Sequence, residues 1–215
     1  MTRGATAPTA FPEQGLYAIT PEDLSAIDAL LNAVSSAIAG GAAVIQYRCK
    51  NAAERRAGAS PLLELCRKAG VPLIINDDVE LAAQIGADGV HLGKDDGDIA
   101  LSRRALGQHA IIGVSCYDSL ERAMAAEQSG ADYVAFGRFF PSRSKPHAPC
   151  AKPETLTEAR RHIHLPIVAI GGITAANGAN LLHAGAGLLA VIDGVFGSGD
   201  PKMAAARFQP LFRRG

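Results

Sequence analysis

The sequence predicts an α/β protein, a single-domain (β/α)8 TIM barrel, on three observations. Eight short apolar or β-branched runs recur along the chain, with helically spaced segments between them. Near-continuous apolar runs of four or five residues suit strands covered on both faces of a parallel sheet. The length supports the count, because 215 residues over eight units gives about 27 per unit, enough for a strand, a helix and two short connections. Three helical segments close on the same Gly-Ala pair before the next run, at Gly86–Ala87, Gly130–Ala131 and Gly185–Ala186. A glycine there takes the left-handed conformation that ends a helix and returns the chain to the sheet.

The elements follow in order. The first run is 15–19 (GLYAI), and Leu24, Ile27, Leu30, Leu31 and Val34 then keep the i, i+3, i+4 spacing of an amphipathic helix until Gly40–Gly41. The second run is 43–47 (AVIQY); the segment 51–60 after it is short for a full helix. The third and fourth runs are 72–75 (PLII) and 89–92 (GVHL). The fifth is 111–114 (IIGV), with a helix over 121–129 behind it. The sixth, seventh and eighth are 133–136 (YVAF), 167–170 (IVAI) and 188–192 (LLAVI). A doubly wound open sheet is the competing architecture. It usually has fewer strands, and no GxGxxG turn follows the first run. No linker or low-complexity stretch divides the chain, so residues 13–215 form one catalytic domain. Residues 1–12 carry one Arg and many small residues but no apolar core of a signal peptide, and are expected to be a flexible tail.

Composition narrows the function. Lysine plus arginine and aspartate plus glutamate each total 21, a formal net charge of zero. A nucleic-acid or membrane-surface binder needs a long-range positive field, so neither partner is expected. No stretch reaches the length of a membrane helix. The four cysteines form no CxxC pair and read as reduced thiols of a cytoplasmic protein. Oligomeric state is not legible, and a homo-oligomer stays open.

In such barrels the site lies at the C-terminal ends of the strands, and unusual polar residues follow six of the eight runs. Gln46, Arg48 and Lys50 alternate onto one side of the second strand's end and make an anion site or, alternatively, a solvated loop. The third run enters Asn76-Asp77-Asp78 and the fourth enters Lys94-Asp95-Asp96. Magnesium takes one or two carboxylates plus water and substrate phosphate, so one Asp of each pair suits it. The other role is helix capping, and Asp78 looks like the cap of a helix starting near Val79. Ser115 either contacts substrate or caps the helix near Ser119, and Cys116 has no partner base for nucleophilic work. After the sixth run, Ser142, Arg143, Ser144 and Lys145 form a phosphate-contact segment or an exposed basic turn. Gly171–Gly172 and 191–194 stand where backbone N–H groups of this fold hold a phosphate. His91 reads as facing the barrel interior or its packing layer, and His162 and His164 as surface residues. Together these residues suit a magnesium-bound diphosphate beside a phosphorylated co-substrate, hence a transferase with pyrophosphate as leaving group.

The segments IQYRCK (45–50), INDDVELA (75–82), GVHLGKDD (89–96), IGVSCY (112–117), ADYVAFGRFFPSRSKPHAP (131–149), HLPIVAIGGIT (164–174) and LAVIDGVFG (189–197) together resemble the thiamine-phosphate synthase family, in order and over about residues 15 to 200. The resemblance implies a (β/α)8 barrel that joins 4-amino-5-hydroxymethyl-2-methylpyrimidine diphosphate to 4-methyl-5-(2-phosphoethyl)thiazole. The products would be thiamine monophosphate and pyrophosphate. It implies that Gln46, Arg48 and Lys50 bind the pyrimidine diphosphate, that Asn76 contacts it, and that Asp77 and Asp96 hold Mg2+. Ser115 and Lys145 would contact pyrophosphate or the reacting pyrimidine, giving Arg48, Lys50, Ser115 and Lys145 as the catalytic groups. Ser142 and Ser144, where the family often has threonine, would contact the thiazole phosphate, with Gly172 and the Val191–Ile192 backbone closing its pocket. The implied mechanism is dissociative.

Three residues depart from the family pattern: Cys49 for an acidic residue, Lys94 for glutamine, and Asp193 for serine in the phosphate loop. An anion beside a phosphate is unfavourable, so Asp193 is left out of the site. The rivals are a thiazole tautomerase of the same barrel, which needs an acid–base histidine, and a non-catalytic phosphate-ligand sensor.

Overall fold

The computed structural model describes residues 10–24, 26–93, 97–142 and 150–213. Eight parallel strands close into a barrel in chain order. They are β1 (Gly15–Ile19), β2 (Ala42–Tyr47), β3 (Leu73–Asn76), β4 (Gly89–Leu92), β5 (Ile111–Tyr117), β6 (Tyr133–Phe136), β7 (Ile167–Ile170) and β8 (Leu188–Val191). Pairing of β1 with β8, from Gly15↔Leu188 to Ala18↔Val191, completes the ring. The outer layer holds α1 (Ile27–Ala39), α2 (Ala52–Ala69), α3 (Val79–Ile85), α4 (Ile99–Leu106), α5 (Leu120–Gln128), α6 (Pro153–His162) and α7 (Ala179–His183). The short α8 (Asp193–Phe196), α9 (Pro201–Ala206) and α10 (Gln209–Phe212) follow β8.

Alternation along each strand divides the apolar residues into two cores. One set fills the barrel: Tyr17, Ile19, Val44, Ile74, Ile111, Tyr133, Ala135, Val168, Leu188 and Ala190. The other, including Ile45, Tyr47, Ile75, Val90, Ile112 and Val134, packs outward against helix residues such as Leu30, Val34, Leu62 and Leu81. Cys49, Cys66 and Cys116 belong to that outer layer, while Cys150 is exposed, and all four are free thiols.

The Gly-Ala pairs do what their composition requires. Gly86 caps α3 at φ 68°, and its following Ala87 N–H returns to Ala82 O. Each of the first two pairs is followed by an aspartate that pins the bottom of the barrel. Asp88 Oδ2 accepts the Leu73 N–H at 2.9 Å, and Asp132 Oδ2 accepts the Ile112 N–H at 2.7 Å. Arg103 holds Asp132 in place with a 2.6 Å ion pair.

Two expectations about the chain change. The second helix is not short: α2 runs 18 residues, through Pro61 to Ala69. Asn51 caps it by accepting from the Ala53 and Glu54 N–H groups, and the apolar face of Leu62, Leu63 and Cys66 buries the half beyond the proline. The tail boundary at residue 12 falls too late. The Phe11 ring stacks on Tyr133, with centroids 4.2 Å apart and planes 1° from parallel, and so belongs to the barrel's packing.

Candidate active site

At the C-terminal ends of the strands the barrel opens into a cavity of about 320 Å³. Its wall includes Gln46, Arg48, Asn76, Asp77, Ser115, Ser142, Gly172, Val191 and Ile192, all singled out from the sequence. Asp96, Ser144 and Lys145 lie outside the described residues, as do Lys94 and Arg143.

The strand ends set each position. Thr20, the residue after β1, latches the end of β2: its Oγ1 accepts the Arg48 N–H at 2.9 Å and donates to the Arg48 carbonyl at 3.2 Å. Arg48 pairs with Glu22 through Nη2. Lys50 reaches the same carboxylate at 2.5 Å, but its side chain is 77% exposed and it is absent from the cavity wall. Glu22 thus gathers both cations on one anion, a role no strand-end pattern signalled.

On β3, Asn76 Nδ2 donates to Asp77 Oδ2 at 2.5 Å, and the Asp77 N–H returns to the His91 carbonyl at 2.9 Å. Asp77 sits at φ 62°, a left-handed conformation that Asp tolerates better than most residues. Asp78 is the cap predicted for it: its Oδ1 accepts the Leu81 N–H at 2.9 Å, while Oδ2 pairs with Arg55 at 2.9 Å. That division leaves Asp77 as the carboxylate of the pair in the cavity wall. A hard divalent cation takes one or two carboxylates with water and substrate oxygens, and Asp77 fits one such place. Among the described residues no cluster of three His, Cys, Asp or Glu could hold an ion by itself.

Ser119, not Ser115, caps α5, accepting the Arg122 N–H at 3.1 Å. Ser115 Oγ lies 2.9 Å from His91 Nε2, and His91 Nδ1 lies 2.9 Å from the Tyr133 hydroxyl. Tyr133 in turn meets Tyr17 at 2.7 Å, and Gln46 Nε2 donates to Tyr17 at 2.8 Å. His91 therefore faces the barrel interior, one of the two placements its apolar run left open. Burial holds both phenols well above their ordinary pKa, so they stay protonated. Burial likewise pushes the Cys116 thiol up to about 12, which agrees with the absence of a nucleophilic role.

The Gly-Gly segment after β7 is needed for packing as well as for approach to a ligand. Phe139 and Phe140 N–H groups donate to the Ile170 and Gly171 carbonyls at 3.2 and 3.0 Å, so the segment after β6 runs alongside it. A Cβ at Gly172, where φ is 63°, would stand 2.3 Å from the Pro141 carbonyl oxygen. Asn177 fixes this turn, donating to the Gly172 carbonyl at 3.1 Å and accepting from Thr174 N–H at 2.8 Å. Asp193, excluded on charge grounds, lies in the cavity wall as the first residue of α8 and is itself exposed. Sequence reasoning also missed Tyr17, Tyr133 and Arg138 in that wall.

A family model described as thiamine monophosphate synthase matches residues 16–195, every strand but the first residue of β1 included. The chain belongs to the thiamine monophosphate synthase family. Within that family it is 56% identical over 204 residues to a thiamine-phosphate synthase of Methylococcus capsulatus, covering 94% of this chain and 91% of the relative. It is 53% identical over 200 residues to that of Thiobacillus denitrificans, covering 92% and 94%. Among solved structures, the thiamine phosphate pyrophosphorylase of Pyrococcus furiosus superimposes with a TM-score of 0.83 at 34% identity, over 93% of this chain and 96% of that one. Family membership and the cavity wall thus rest on the same stretch of chain.

Proposed function

We propose that this chain acts in thiamine biosynthesis, in the cytoplasm, joining the hydroxymethylpyrimidine group of its diphosphate to 4-methyl-5-(2-phosphoethyl)thiazole. The products are thiamine phosphate and pyrophosphate. The observation that carries the reading is one cavity walled on one side by Gln46, Arg48, Asn76 and Asp77 and on the other by Gly172, Val191 and Ile192. Charged and amide side chains line the first side, and residues with main-chain polar groups line the second.

Gln46, Arg48 and Asn76 bind the pyrimidine diphosphate, and Lys50 and Lys145 add charge against it. Asp77 and Asp96 supply carboxylate oxygens for Mg2+, which when bound neutralises diphosphate charge and orients the leaving group. The carbon–oxygen bond to the diphosphate breaks first, and the bonding pair leaves with pyrophosphate. The resulting pyrimidine-methyl cation is stabilised by its own amino group, and the thiazole nitrogen then donates its lone pair to it. Ser115 donates a hydrogen bond toward the departing oxygens. Ser142, Ser144, Gly172 and the Val191–Ile192 backbone hold the thiazole phosphate. The protein's share is orientation and stabilisation of developing charge, with no nucleophile required.

Purified protein given both substrates and magnesium is expected to release pyrophosphate in step with thiamine phosphate. Absence of release from well-folded protein would overturn the reading.

A further inference from the structure

We infer that Glu22, in the turn between β1 and α1, is a positioning residue for the reaction, acting through Arg48. Arg48 is held twice by the segment that follows β1. Its main chain is latched by the fully buried Thr20, whose Oγ1 accepts the Arg48 N–H at 2.9 Å and donates to the Arg48 carbonyl at 3.2 Å. The Thr20 N–H also donates to the Gln46 carbonyl at 3.0 Å, so the two segments stay in register past the end of β1. The Arg48 side chain is held by Glu22, whose Oε1 pairs with Nη2. Glu22 itself stands on a fixed stem. Pro21 restricts the backbone before it, and the Leu24 N–H closes the turn on the Pro21 carbonyl at 3.3 Å.

The anchor lies outside the cavity. Arg48 belongs to the cavity wall, with Tyr17 and Ile19 of β1, whereas Thr20 and Glu22 do not. Among the described residues the guanidinium has no partner but Glu22, and its Nε and Nη1 are not sealed from solvent. One nitrogen is therefore anchored while the others stay available to an anion in the cavity. That suits a planar fork, which must present its N–H groups in one orientation. A fully exposed ion pair would count for little, but the Arg48 and Glu22 side chains are 19% and 23% exposed. Lys50 takes the other carboxylate oxygen at 2.5 Å, from outside the wall. The carboxylate thus offsets one of two positive charges. Removing its charge raises the local charge from one to two, which favours a polyanion in the ground state. Orientation and attraction are set against each other here, and they separate in the kinetics. That the anion is the diphosphate of the pyrimidine rests on the proposed function.

Glu22→Gln keeps the size of the side chain and removes its charge. Its kcat should fall about 10- to 100-fold, the cost of a slightly misplaced group, while KM for the pyrimidine diphosphate stays level or falls. A substrate contact would instead raise KM, and a purely structural pair would lower the melting temperature and leave kcat alone. Either result would overturn the positioning role. Glu22→Ala should behave alike, and decides the matter if the first variant does not fold. A double-mutant cycle with Arg48→Ala isolates the route. In that background Glu22→Gln should change kcat by less than twofold, and an undiminished loss would mean that Glu22 does not act through Arg48. Side-chain 15N spectra of the ligand-free protein give a reading without turnover. Rotation of the Arg48 guanidinium should be slow in the wild type and fast in Glu22→Gln; equal rates would refute the anchor. Wild-type protein that shows slow rotation yet releases no pyrophosphate would refute the proposed function and leave the anchor standing.

Discussion

On the β2–β4 side of the mouth, the polar groups facing the cavity are side chains: Gln46, Arg48, Asn76 and Asp77. On the β7–β8 side Gly171, Gly172, Val191 and Ile192 can offer only main-chain polar groups, with Thr174 and the exposed Asp193 beside them. The first side works by charge, and its cations Arg48 and Lys50 share Glu22 as their partner. The second works by shape. Its glycines allow the 139–142 segment to lie against it, and Asn177 holds the turn. The difference teaches that single charge changes should dominate on one side, and backbone geometry on the other.

The largest effect should come from Asp77→Asn. Asparagine tolerates the left-handed backbone at φ 62° and keeps the shape of the side chain while removing its charge. Turnover should fall by about 10²–10³-fold, as when a transition-state charge contact is lost, with the melting temperature unchanged. Normal activity under limiting magnesium would remove Asp77 from the metal role. Gly172→Ala tests the other side. Its left-handed backbone alone should cost about 1–2 kcal/mol, and the clash with Pro141 adds to that. Thermal melts should register the loss, and KM for the thiazole phosphate should rise about tenfold, equivalent to ~1.4 kcal/mol of lost binding.

A smaller change is expected for Ser142→Ala. Loss of one hydrogen bond, worth about 1 kcal/mol, should raise KM for the thiazole phosphate about fivefold. An effect confined to the pyrimidine substrate would contradict the division of the mouth. Ionic strength should give the smallest contrast. Salt screens exposed charges within about 10 Å at 0.1 M, so KM for the pyrimidine diphosphate should rise with salt more steeply than KM for the thiazole phosphate. Equal slopes would erase the distinction between the two sides.

What was legible in the sequence follows the same division. Strand runs ending in polar residues announce a barrel mouth, so Gln46, Arg48, Asn76 and Asp77 could be found by position alone. Gly171–Gly172 could be found as a site but not explained, because its need for glycine comes from Phe140 and Pro141, about thirty residues earlier. Lys50 shows the limit of alternation: it falls on the same parity as Gln46 and Arg48, yet it lies beyond the end of β2 and points to solvent. Tyr17 and Tyr133 were hidden because a tyrosine in an apolar run looks the same whether it packs into the barrel or against the helices. Only the register between strands tells which, and the register is a property of the closed ring.

The glycine in the middle of β5 has a consequence for anyone moving this chemistry to another scaffold. A Cβ on Gly113 would stand 1.9 Å from Cζ of Tyr133 and 2.3 Å from its hydroxyl oxygen. The space occupied by that phenol is therefore reserved by an absent methyl group on the neighbouring strand. A transplant that copied every polar residue of the wall but placed alanine there would inherit the donors and acceptors without the room to align them. The minimal portable unit includes a residue with no functional group at all.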